Sequence, residues 1–231
     1  MQRMVIFLSL SFLASALAWQ PAPDLETAQR VVDGAYSRIP TVETSTTVDL
    51  SVKDKSFSGG VGVKTLYGNP AACLAPWLEN PEAYAQYGSR PHSITVAGQA
   101  DVISLEAQRV RNAFKNLSAQ EALSRAQKIL PAGHLRIFVE IWGLAKPALR
   151  AAYTVGLGGL GNGFVMPYKS AYLDDWKPLD SDPGRYSGTM VYYFDLSKTS
   201  VDPKGTLNVV IKTEADSDCA YIVPVDLSKF E

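Results

Sequence analysis

Cysteine and histidine are scarce in this chain, two of each among 231 residues. The histidines, His92 and His134, lie in different segments with no cysteine beside either. No spacing therefore supplies the third and fourth ligands of a zinc site. The sequence also lacks a G-x-S-x-G elbow and an H-E-x-x-H helix. Neither sign of charge is in excess: 22 Lys and Arg stand against 23 Asp and Glu, a formal net charge of −1. A nucleic-acid-binding surface needs a clustered basic face, and this balance argues against a nucleic-acid partner. Internal repeats and low-complexity stretches are absent too.

What is present begins with "MQRMVIFLSLSFLASALAWQ". Arg3 gives a basic start, Met4 to Leu13 an apolar run too short to span a bilayer, and Ala16-Leu17-Ala18 a small-x-small cleavage signal. This three-part order is that of a secretory signal peptide over residues 1–18. The alternative is an N-terminal helix buried in the folded domain. Cleavage after Ala18 removes one arginine and no acid, leaving a chain that starts at Trp19. No later apolar run is long enough to cross a membrane, so a secreted or periplasmic protein with no span after cleavage is expected.

Two textures follow. Residues 19–131 mix helix and strand, and 132–231 read as strands. "DLETAQRVVDGAYSR" carries Leu25, Ala28, Val32 and Ala35 at helical spacing behind Asp24, a capping residue. "TVETSTTVDLSV" alternates, with Val42, Val48, Leu50 and Val52 on one face, as in a half-buried strand. After Gly59-Gly60, "VGVKTLY" reads as its partner. Pro70, Pro76 and Pro81 restrict the next stretch to short helical turns. Val110, Ala113, Phe114 and Leu117 line one helix face; Ala122, Leu123, Ala126 and Ile129 line a second, opened by the capping box Ser118 to Glu121. Then "HLRIFVEIWG" alternates Leu135, Ile137, Val139 and Ile141 against polar and aromatic residues. Three further strand-like runs are separated by turn residues, and Pro224 inside the last argues for an edge. The expected fold is α+β: a mixed N-terminal half and a C-terminal antiparallel β-sheet or β-sandwich, as two units or as one.

Gly156, Gly158 and Gly161 spell G-x-G-x-x-G, and Asp180 lies near the spacing of a ribose-binding acid. A dinucleotide site needs a helix starting at the third glycine. Here Gly163 and Pro167 follow, and the flanks read as extended. A glycine-rich connection or hairpin between strands is expected instead, without a bound nucleotide.

Acids in loops offer one cofactor, calcium. Asp174, Asp175, Asp180 and Asp182 form one group, Glu214, Asp216 and Asp218 another at alternate positions. Gly184 breaks the EF-hand pattern of the first, and solvated turns explain both groups equally. Tyr168, Tyr172, Trp176 and Tyr186 fall in loop-like sequence and offer a surface for a protein or glycan, or else fold back on the sheet. Asn116-Leu117-Ser118 is a glycosylation sequon that matters only in a eukaryotic host. Cys73 and Cys219, an exported pair, are expected to form a disulfide across the two halves, the alternative being two buried thiols. The function that fits is a non-enzymatic binding protein acting outside the cytoplasm. The alternative is an exported hydrolase drawing His92 or His134 together with acids of the 174–182 loop.

Overall fold

The computed structural model describes residues 18–159, 163–215 and 218–231. Apart from Ala18, the signal-peptide expectation lies outside the described residues, as do Gly161 and Asp216. The chain runs α1 (Leu25–Ala35), β1 (Ser45–Asp49), a small ribbon of β2 (Val52–Lys53) and β3 (Ser56–Phe57), then β4 (Lys64–Tyr67). Three single helical turns follow, α2 (Pro70–Cys73), α3 (Ala75–Glu79) and α4 (Tyr84–Tyr87). Next come β5 (Arg90–Ala97), α5 (Gln99–Asn112), α6 (Ala119–Ile129) and β6 (His134–Leu144). A 3-10 segment (Pro147–Ala152) leads into β7 (Thr154–Gly158), β8 (Lys169–Tyr172), β9 (Lys177–Pro178), β10 (Tyr186–Asp195), β11 (Thr206–Lys212) and β12 (Ala220–Asp226).

The fold is α+β with antiparallel sheets. The first sheet has the order β1-β5-β6-β10-β8, with β9 also on β10; the second has the order β4-β12-β11-β7. The alternation in β6 decides how they stack. Leu135, Ile137, Val139 and Ile141 are fully buried and share one core with Val209 and Ile211 of β11 and Val223 and Val225 of β12. The sheets thus pack face to face, each buried aliphatic side chain contributing about 1.5–3 kcal/mol. On the other face of the first sheet, Tyr193 packs with a second cluster built from α1, α5 and α6. Arg136, also on that face, pairs with Asp101 of α5 at 2.5 Å. The layers run helices, sheet, sheet. Strands from both sides of residue 131 share each large sheet: β5 pairs with β6, and β4 with β12.

Local chemistry explains the helices. Asp24 caps α1 by accepting from the Thr27 N–H, and Ser118 with Glu121 closes the capping box of α6. The spacing misplaces the helix before it. α5 starts at Gln99, and its buried face is Ala100, Ile103, Ala107 and Val110. Ala113 ends it, and Phe114 takes a left-handed φ of 58° with its side chain 98 % exposed. Leu25 and Ile129 are exposed for a related reason: each begins or ends its helix at the edge of the packed face.

Two strand expectations also change. Val42 packs into the helical cluster, while Val48, Leu50 and Val52 join the core between the sheets. "VGVKTLY" supplies β4, but its partner is β12 and not β1. β12 is not an edge strand either. It lies between β4 and β11. Its pairing with β4 spans only Ala220 to Ile222, so at Pro224 the missing N–H interrupts no ladder on that side.

Candidate functional site

The glycine-rich stretch is a strand and a return. Gly156 and Gly158 lie in β7, and Leu157 bridges Val165 in antiparallel fashion. No helix follows. The glycines make room across this return: a Cβ on Gly158 would sit 3.1 Å from Phe164, and one on Gly156 would sit 3.4 Å from the Met166 sulfur. These two glycines thus lie against the returning chain.

The chain then crosses from the edge of one sheet to the edge of the other. β7 ends the second sheet and β8 ends the first. Along the crossing and β8 to the residue after it, Phe164, Met166, Tyr168, Tyr172 and Leu173 are 43–58 % exposed. They are five of the thirteen large hydrophobic side chains found exposed among the described residues, gathered within ten positions. Two of them are held by neighbours. His134 lies 3.2 Å from the Tyr168 hydroxyl through Nδ1, and the Arg150 guanidinium sits 3.9 Å over the Tyr172 ring. Trp176 and Tyr186, by contrast, fold back against the core. The loop aromatics therefore divide between surface and interior.

A second region surrounds α4. Next in the chain after α4 is a buried relay. The Ser89 N–H and Oγ donate to the two oxygens of Glu214 at 2.9 and 2.5 Å. With its proton spent there, Ser89 Oγ accepts from Tyr153, whose hydroxyl is 2.6 Å away. Burial and the nearby Glu214 charge raise the Tyr153 phenol well above its ordinary value, so it stays a donor. Ser89 is wholly buried, out of reach of a substrate.

Two cavities in this region share Tyr84 and Arg90 as a common wall. The larger, about 320 Å³, is lined by Arg90, Arg185, Tyr84, Tyr87, Tyr221 and the Cys73–Cys219 bridge, among others. The smaller, about 100 Å³, holds Glu82 and His92, whose ring stacks on Trp142 at 3.8 Å. Burial pushes the Tyr84 phenol up to about 12, with Glu82 adding to the effect and Arg90 opposing it. Nothing in the sequence marks Arg90 and Arg185; they are 95 positions apart and belong to no motif.

Three of the acids expected near calcium have other partners. Asp175 accepts from the Thr189 N–H and hydroxyl at 3.0 and 2.6 Å, and Asp182 from the Gly184 N–H. Glu214 is held by Ser89, while Asp174 and Asp218 are exposed. Asp180 lines a further cavity with Glu82, Trp142 and Lys177. Among the described residues, no three His, Cys, Asp or Glu side chains gather as metal ligands. For a hydrolase, a histidine needs both a cavity and a hydrogen-bonding partner. These fall to different residues. His92 lines the smaller cavity, and its ring makes no hydrogen bond among the described residues. His134 pairs with Asp195 at 3.5 Å at the start of β6.

Cys73 and Cys219 form a disulfide, with their α-carbons 5.7 Å apart. No helix among the described residues is long and apolar enough to cross a membrane. No family model, curated protein or solved structure matches this chain.

Proposed function

We propose that this protein is a binding protein acting outside the cytoplasm, and that it holds an extended segment of a partner protein along the open edge of β8. The observation that carries this reading is the clustering of Phe164, Met166, Tyr168, Tyr172 and Leu173 along the crossing and β8 to the residue after it. An open strand edge offers unpaired N–H and C=O groups to a further strand. Pockets between alternate side chains then add specificity. Tyr168 and Tyr172 are already fixed by His134 and Arg150, which lowers the entropy lost on contact. The leader pattern of residues 1–18 supports the location, and a disulfide is at home in an oxidising compartment.

The test is a pull-down from the medium and cell envelope of the producing organism, comparing the wild type with Tyr172→Lys/Leu173→Lys. A protein band retained by the wild type and lost from the variant is expected. Equal retention by both, or capture of a glycan alone, overturns the edge reading. N-terminal sequencing of the exported chain should begin at Trp19; a soluble cytoplasmic chain beginning at Met1 overturns the location.

A further inference from the structure

We infer that the larger cavity beside α4 binds a small organic molecule through an oxyanion gripped by Arg90 and Arg185. Arg90 is the starting point. It is 7 % exposed, and Nη1 donates to the Tyr87 carbonyl at 2.9 Å. A guanidinium has five N–H donors, and this is one. No carboxylate of the described residues lies within 4.0 Å of it. Glu214 is occupied by Ser89, and Glu82 lies in the smaller cavity without pairing to Arg90. No Arg90 nitrogen is among the buried polar atoms that lack a partner, so the guanidinium keeps access to water that a ligand group can replace.

The cavity supplies the rest of a built site. The Arg90 guanidinium carbon lies 5.7 Å from the centre of the Trp77 ring. Arg185 uses Nη1 on the Gly143 carbonyl, at 3.3 Å, and also lines the cavity. No Asp or Glu among the described residues lines it. Two arginines lining one cavity, with no Asp or Glu among its described lining residues, favour an anion, and their planar forks match a carboxylate or a phosphate. Tyr84, Tyr87 and Tyr221 provide ring surface for an organic body. A volume of about 320 Å³ is that of a small-molecule site. The occupant is small and charged, so this site is independent of the strand edge.

The experiment follows melting temperature while the oxidised full chain is titrated with sodium benzoate and, separately, with inorganic phosphate, against potassium chloride at matched ionic strength. A saturable rise with either probe beyond the chloride control is expected. Benzoate alone identifies a carboxylate ligand, phosphate alone a phosphate ester, and response to both the shared oxyanion. Arg185→Gln is half-buried and leaves the core intact; it should weaken the effective probe at least about tenfold, and Arg185→Lys should restore only part, returning the charge without the fork. No saturable rise with either probe overturns the proposal. So does an Arg185→Gln chain that binds as tightly as the wild type.

Discussion

Tyr84 packs its ring directly against the α-carbon of Gly143. A Cβ built there would fall 2.2 Å from two ring carbons, and Gly143 has φ +92°. Substitution by alanine has nowhere to go without moving the ring or straining the backbone. Gly143→Ala should cost about 3 kcal/mol, a fall of roughly 6–12 °C in Tm for a chain of this size. Gly62→Ala, where nothing lies within 4 Å, is the control and should melt within about a degree of the wild type. A Gly143→Ala chain as stable as the control would show that the Tyr84 wall is not rigid.

Asp101 and Arg136 are paired between α5 and β6. Removing one partner leaves a buried charge, so Asp101→Ala or Arg136→Ala should lose about 3–5 kcal/mol. Asp101→Leu/Arg136→Met should recover to within about 1 kcal/mol of the wild type. Burial lifts the Asp101 carboxyl above its ordinary value of 3.8, against the opposing pull of Arg136. The folded chain thus holds this proton more tightly than the unfolded chain. Its contribution is full below 3.8 and declines as pH rises through the raised folded value. Denaturant titrations between acid and neutral pH should show this decline in the wild type and its absence in the double variant. Identical pH profiles would refute the assignment.

The Cys73–Cys219 bridge spans 146 positions. In the chain-entropy treatment a loop of that length is worth about 5 kcal/mol, an upper value because real bridges often give less. Cys73→Ser/Cys219→Ser should shift the guanidinium midpoint down and steepen the slope, because the denatured chain without the bridge expands and exposes more surface. A thiol assay on denatured, unreduced protein should find none; two titratable thiols would contradict the bridge.

Gly158→Ala places a methyl group 3.1 Å from Phe164 and 3.4 Å from Val210. It should displace Phe164 and lower Tm by a few degrees, a cost of about 1 kcal/mol. NAD should shift the melting of neither form. Saturable NAD binding lost in the variant would reinstate a nucleotide site.

The sheets were legible where one physical rule acted alone. The four aliphatics of β6 alternate because one face meets the second sheet and the other meets the helices. Ser118 and Glu121 announce α6 because both halves of a capping box are local. α5 was missed at its start because Gly98 caps it with no side chain and its buried residues include Gln99, Ala100, Ser104 and Ala107, a weak hydrophobic signal. Phe114 misled for the opposite reason, being apolar yet placed in a left-handed turn after the helix. Strand partners such as β4 and β12 are chosen by the tertiary fold, which no window of sequence contains. The same holds for the cavity. Arg90 starts β5 and Arg185 precedes β10, and the tertiary fold brings both to one cavity.

The insertion of β12 between β4 and β11 sets an order of events during synthesis. Residues 64–67 emerge early, yet their neighbour in the sheet is residues 220–222. At about 5–20 residues per second the wait is on the order of ten seconds. Throughout it the Cys73 thiol has no partner within its own chain, because Cys219 comes 146 positions later. The first sheet can grow meanwhile, since β1, β5 and β6 are all synthesised well before β12. The second sheet and its covalent clasp therefore close last. In that interval a second copy of the chain is the competitor for both the strand edge and the thiol, so crowding during production should favour disulfide-linked dimers over the monomer.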